Sequence, residues 1–229
     1  MCGIAGYLGF RKAYPIVING LQRLEYRGYD SAGIMLHDGK DLKVSKTKGK
    51  VTDLEEVSAK DNNFFGSIGM GHTRWATHGE PSDRNAHPHL SNNGRLAMLH
   101  NGIIENYAPI KKELLSKGYT FKSDTDTEVL LNFIQEIQDN NKSTLEEALR
   151  IALKRIVGAY CILLIDQDDP ETIIAARKGS PLVIGIGKDE HFLASDASPI
   201  IEYTKEVVYV NDYEIAIVKK DELILKNLG

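Results

Sequence analysis

The order of strand-like and helix-like runs constrains this chain most. Residues 2–9 form a short, apolar, glycine-rich run of buried-strand type. A helical pattern follows, in which Ile16, Val17, Leu21 and Leu24 share one face. Residues 31–37 and 42–47 read as a hairpin around Asp38-Gly39-Lys40, and 51–60 as a short polar helix. Strands are expected at 68–76 and 96–104. The stretch between them, 77–94, holds Gly79, Pro81, Pro88 and Gly94, so its chemistry is that of a long loop, the kind that often carries function. Three helical segments come next, at 106–117, 126–138 and 143–156. The last starts behind Ser143 with Glu146 three residues on, the spacing of a capping box. From Gly158 onward short β-rich runs dominate, at 159–166, 172–176, 182–186, 192–194, 207–210 and 214–218. Strands and helices grouped in blocks predict α+β layers, not the strict alternation of a doubly wound sheet. No repeat, low-complexity tract or Pro/Ser-rich linker divides the chain, so one domain over residues 1–229 is expected.

Composition narrows the classes of function. Net charge is −4 with acidic and basic residues interspersed, which offers no footprint for nucleic acid. Nothing approaches the roughly 18 apolar residues of a membrane span. The apolar start lacks a basic n-region and stops at Arg11 and Lys12, unlike a signal peptide. Two distant cysteines, Cys2 and Cys161, make no disulfide framework, and a cytoplasmic setting is expected. Cys161, inside an apolar run, reads as core filler.

Chemistry concentrates at a few positions. Removal of Met1 would leave Cys2 with a thiol and a free α-amine on one residue, and an amine of reference pKa near ~8 can serve as local base. Taken alone, Cys2 reads as a small buried hydrophobe. The run His72 to Gly79 holds the only tryptophan, Trp75, and Arg74, whose fork of donors can clamp a carboxylate; a lone Arg is more often an ordinary surface ion pair. His72, His78, His87, His89 and His100 invite a metal, yet their spacing matches no common zinc pattern, so structural hydrogen bonding and no metal site are expected. Asn101 and Gly102 are poor strand residents and could supply converging donors for an oxyanion, or a simple bulge. Before the second of the three helices, one of Asp124 and Asp126 is expected to cap, leaving the other for a ligand ammonium. Gly28 and Gly33 lack phosphate-loop spacing. Together these are the parts for acyl transfer on an α-amino acid amide.

The stretches Cys2-Gly3-Ile4, Glu25-Tyr26-Arg27-Gly28-Tyr29-Asp30, Arg74-Trp75-Ala76-Thr77-His78-Gly79, Asn85-Ala86-His87-Pro88-His89, His100-Asn101-Gly102 and Thr125-Asp126-Thr127-Glu128 resemble the glutaminase domain of the N-terminal-nucleophile (class II) glutamine amidotransferases. The likeness spans essentially the whole chain and is greatest to the branch that aminates fructose 6-phosphate. It implies a four-layer αββα sandwich, the N-terminal-nucleophile hydrolase fold, and L-glutamine as substrate with no cofactor. Cys2 would be the nucleophile, with its own amine as base. Asn101 and Gly102 would hold the oxyanion, Arg74 the α-carboxylate and Asp126 the α-ammonium. Thr77 and His78 would line the pocket, Trp75 would ride a loop that closes over glutamine, and Arg27 would support the nucleophile's surroundings. The family's enzyme continues into a two-lobed sugar-phosphate isomerase domain that this sequence lacks. The chain is therefore expected to be part of a longer, homodimeric enzyme, monomeric by itself, releasing glutamate and ammonia. With Met1 retained, the α-amine belongs to the wrong residue and Cys2 has no built-in base. Another class II glutaminase or a glutamine-sensing domain without turnover are the competing expectations.

Overall fold

The computed structural model describes residues 2–229. Thirteen strands form two antiparallel sheets. The first half supplies β1 (Gly3–Leu8), β2 (Ser31–His37), β3 (Leu42–Lys48), β4 (Ile68–Arg74), β5 (His89–Leu90) and β6 (Leu96–Ile104). The second half supplies β7 (Gly158–Asp166), β8 (Ile173–Lys178), β9 (Val183–Gly187), β10 (Glu190–Ala194), β11 (Val207–Tyr209), β12 (Glu214–Val218) and β13 (Leu223–Asn227). The helices are α1 (Ala13–Leu24), α2 (Val51–Ser58), α3 (Tyr107–Ser116), α4 (Asp126–Asn141) and α5 (Leu145–Arg155). One sheet runs β11-β9-β10-β1-β4-β2-β3 and the other β13-β12-β8-β7-β6-β5.

Three apolar clusters separate four layers. The row Val17, Leu21 and Leu24 of α1 buries against Ala5, Tyr7 and Ile34 of the first sheet. Gly71 on β4 allows that approach, because a Cβ there would meet Leu21 and Val17 side chains at 2.7 Å. The second cluster lies between the sheets and joins Ile4 and Leu8, Ile68 and Met70, Ala97 and Leu99, and Leu163 and Ile165. The third packs α3, α4 and α5 on the outer face of the second sheet through Leu114, Leu130, Ile134 and Leu149. The order helix, sheet, sheet, helix is the four-layer αββα sandwich, an α+β fold. Side chains alternate faces along a strand, so the stripe facing the opposite sheet runs Ile4-Gly6-Leu8 on β1 with Cys2 just before it, Ile68-Met70-His72-Arg74 on β4 and Ala97-Leu99-Asn101 on β6. Each stripe is apolar at one end and polar at the other.

Local readings held for most elements and failed at four places, the first being β5, which pairs with β6 inside the stretch expected to be loop. The cap of α5 is Thr144, whose side chain accepts from Glu147 N–H, one residue beyond the expected Ser143 and Glu146. Neither Asp124 nor Asp126 caps α4. Thr125 does, accepting from Glu128 N–H, while the Glu128 carboxylate reaches back to the Ser123 N–H at 2.8 Å. Finally, β13 was not expected at all; it exists through pairing with β12 from Glu214↔Asn227 to Val218↔Leu223.

Candidate active site

The polar ends of the three stripes meet. Antiparallel pairing sets Gly3 opposite Thr73 and Ile4 opposite His72, which brings Cys2 to the end of β4, beside Arg74 and Trp75. The facing sheet contributes Asn101 and Gly102 from β6. A cavity of about 330 Å³ opens there, and all nine residues singled out from the sequence line it: Cys2, Arg27, Arg74, Trp75, Thr77, His78, Asn101, Gly102 and Asp126.

The Cys2 thiol is held by backbone. Trp75 N–H donates to Sγ at 3.1 Å, and Sγ lies 3.5 Å from the Trp75 carbonyl oxygen. Burial pushes the thiol above its ordinary value, with the Trp75 N–H opposing the shift, so the resting sulfur is protonated. The Trp75 indole is itself 55% exposed. Its ring lies on Gly28, where a Cβ would come within 2.9 Å of Cε3.

The Asn101 amide bridges the sheets. Nδ2 donates to the Cys2 carbonyl at 3.2 Å, and Oδ1 stands 2.9 Å from His72 Nε2. Gly102 has φ +116°, and a Cβ there would sit 2.2 Å from the Ala159 carbonyl oxygen, so no other residue fits without moving β7. Arg74 is buried, and its guanidinium donates to the carbonyls of Gly79 (3.0 Å), Glu80 (3.2 Å) and His78. It thus closes the loop after β4 into a ring. Asp30 secures the same loop: its carboxylate accepts from Ala76 N–H, its N–H donates to the Arg74 carbonyl at 2.7 Å, and Oδ1 lies 3.9 Å from the guanidinium.

Asp126 begins α4 and accepts from the Ile104 N–H at 2.7 Å through Oδ2. Its other oxygen faces the cavity wall 3.7 Å from His78 Nδ1, and the His78 ring meets Tyr107 edge-on at 4.9 Å. Thr77 is exposed at the rim. Arg27 pairs with Asp196 at 3.2 Å, which also accepts from the Tyr26 hydroxyl.

Four further histidines, His72, His87, His89 and His100, form a buried layer at the floor of the cavity. His72 stacks on His87 with centroids 4.1 Å apart and planes at 10°. His100 Nδ1 meets Thr127 Oγ1 and His89 Nε2 meets Thr125 Oγ1, both at 2.9 Å. Desolvation lowers the pKa of all four, to about 3 for His72. Among the described residues no group of three or more His, Cys, Asp and Glu is arranged to hold a metal ion. Sequence reasoning missed Asp30 as a loop anchor and Ser180-Pro181 as part of the cavity wall. Asp30 lies inside a motif already quoted; nothing local marks Ser180-Pro181 as part of a site.

Known proteins match this chain in sequence and in fold. The glutamine–fructose-6-phosphate aminotransferase (isomerizing) of Bacteroides thetaiotaomicron is 59% identical over 222 residues, 96% of this chain and 36% of that one. The Chlorobaculum tepidum enzyme of the same name is 52% identical over 231 residues, 100% of this chain and 38% of its own. The chain thus spans little more than a third of these curated relatives. Among solved structures, the glutamine phosphoribosylpyrophosphate amidotransferase of B. subtilis, complexed with ADP and GMP, superposes with a TM-score of 0.84 at 28% identity, covering 100% of this chain and 49% of that one. The family described as "Glutamine amidotransferase domain" matches residues 72–202, more than half of the chain. By that match, carried on the sandwich and cavity described above, the chain belongs to the glutamine amidotransferase domain family.

Proposed function

We propose that this chain hydrolyses the side-chain amide of L-glutamine through Cys2, once Met1 is removed, and that within a longer enzyme the ammonia passes to fructose 6-phosphate. Met1 lies outside the described residues, so the processing step belongs to the proposal. The observation that carries the reading is the meeting of the Cys2 thiol, at the edge of one sheet, with the Asn101 amide and Gly102 of the other around one cavity. The names of the curated relatives support the acceptor.

In this reading the α-amine of Cys2 takes the thiol proton as Sγ attacks the glutamine Cδ. The carbonyl oxygen becomes an oxyanion, received by Asn101 Nδ2–H and Gly102 N–H. The C–N bond then breaks, the amine returns the proton to the leaving nitrogen, and ammonia departs from a thioester. Water adds to the thioester by the same route and releases glutamate. The raised thiol pKa supports the need for a local base, since little thiolate is present at neutral pH. Arg74 exchanges loop carbonyls for the substrate α-carboxylate, and Asp126 receives the α-ammonium beside His78. Thr77 and Arg27 complete the rim, and the loop carrying Trp75 closes over the substrate. The unit is cytoplasmic and monomeric by itself, with homodimer contacts made elsewhere in the longer protein.

The test is glutamate release from L-glutamine, with intact mass recorded on the same sample. Turnover with Met1 missing, abolished in Cys2→Ala while glutamine binding persists, is the expected result. Hydrolysis surviving Cys2→Ala, or no turnover with Cys2 exposed at the terminus, overturns it.

A further inference from the structure

The Asn101 amide has two ends of nearly equal size and opposite chemistry. Turned one way, it presents a donor to an oxyanion; turned by 180° it presents a carbonyl oxygen that repels one. Something must choose, and the surroundings of Asn101 identify what does. The end facing Cys2 lies 3.2 Å from a backbone carbonyl, which can only accept, so that end is Nδ2. One of its two N–H groups is taken by this carbonyl and one is left. Oδ1 then faces His72 Nε2 at 2.9 Å, and the imidazole has to donate there. The opposite tautomer would set two acceptors against each other in a fully buried place.

We propose that His72 is a positioning residue for the oxyanion site: by donating Nε2–H across the seam between the sheets it acts with the Cys2 carbonyl to lock the Asn101 amide with Nδ2 turned toward Cys2. The proposal rests on the glutamine-hydrolysing reading of the site. His72 is itself immobilised. It is 0% exposed, lies in register with Ile4 on β1 and Gly33 on β2, and stacks face to face on His87. The His87 ring is fixed in turn, because its Nδ1 accepts the His100 N–H at 3.2 Å. The His100 backbone also lies against this ring, but His72 Nδ1 makes no hydrogen bond of full geometry among the described residues, so the bond to Asn101 is the well-formed side-chain contact that bears on the ring's tautomer. Burial keeps this ring neutral well below neutral pH, and a neutral ring has a single proton to place.

The test uses the mature chain with Cys2 exposed. His72→Leu removes the donor, whereas His72→Gln keeps an amide N–H at similar reach. We expect kcat for glutamine to fall about 10- to 100-fold in His72→Leu, below the ~10²–10³ that loss of a whole oxyanion donor costs, with KM within about twofold and His72→Gln recovering part of the rate. Binding of the γ-aldehyde analogue of glutamate, which forms a tetrahedral adduct with the thiol, should weaken in step with kcat/KM, while glutamate binding stays level. Unchanged kcat and aldehyde affinity in a folded His72→Leu overturn the proposal, as does a proportionate loss of glutamate affinity, which would mean general damage to the pocket. If His72→Leu does not fold, nitrogen-15 NMR of the wild-type imidazole decides. An Nε2–H tautomer is expected and an Nδ1–H tautomer overturns the proposal. That measurement needs no turnover, so failure of the hydrolytic reading is seen separately, as absent glutamate release.

Discussion

Cys2 and Cys161 show how one side-chain type takes opposite fates on the same fold. Both face the seam between the sheets, but Cys2 lies at its polar end against a backbone N–H, and Cys161 lies at 0% exposure among leucines and isoleucines. Burial raises both thiols, Cys161 to about 12. A raised thiol pKa means alkylation that grows with pH and reaches half its limit above the ordinary value near ~8.5. Iodoacetamide followed by peptide mass mapping should therefore label Cys2 increasingly from pH 7 to 9.5 and leave Cys161 unmodified until the chain is unfolded. Labelling of Cys2 that is already maximal at pH 7 would instead mean a stabilised thiolate. At this scale, the sequence disclosed residues unevenly. Cys2, Arg74 and Asn101 each read as ordinary when taken singly, and only their joint motifs drew attention to them. The grip of Trp75 N–H on Sγ was invisible, because a backbone donor leaves no mark on residue identity. The stacking of His72 on His87 was equally hidden, since it depends on where residues 85–89 fold back.

Elements were more legible than their edges. Periodicity located α1 and the strand cores because burial on one face imposes it, and the layered class followed from the block order. Caps were harder: Ser143 and Thr144 are both good N-cap residues, and so are Asp124, Thr125 and Asp126, so the choice is made by the direction of chain entry. At α4 that choice matters beyond the helix, since Thr125 Oγ1 serves Glu128 N–H, Ser123 and His89 together, and Asp126 follows directly. Thr125→Ala should lower stability by about 1–2 kcal/mol in urea unfolding, the upper part of the usual range for a lost cap, because His89 also loses a partner. A loss under about 0.5 kcal/mol would show that another group caps α4. Strand order lay beyond reach. β1 sits between β10 and β4, so Ala5 pairs with Ala194 across most of the chain, and no local pattern encodes that. β13, largely exposed and ending in Lys226-Asn227, lacks the alternation that would announce a strand.

For the whole molecule, the buried histidine layer sets an acid limit. His72, His87, His89 and His100 all have lowered pKa values in the folded chain, against 6.5 when exposed. Between pH 6.5 and about 3 the unfolded chain binds more protons at His72 than the folded one, so stability falls as pH falls through that window. His72 alone should cost roughly 2 kcal/mol between pH 6.5 and 5, at about 1.36 kcal/mol per unit. Urea midpoints that drop steadily from pH 7 to 5 are expected; a flat profile would mean these rings are protonated in the folded state. The placement of the site has a second consequence. The sulfur sits at the end of one sheet and the Asn101 amide on the other, and between them lie an oily seam and a few bonds across it. Such a construction works like a vernier: a slip of one plate over the other by about an ångström detunes the reading, and misplacement of that size can cost around 10²-fold in rate, while both plates remain intact.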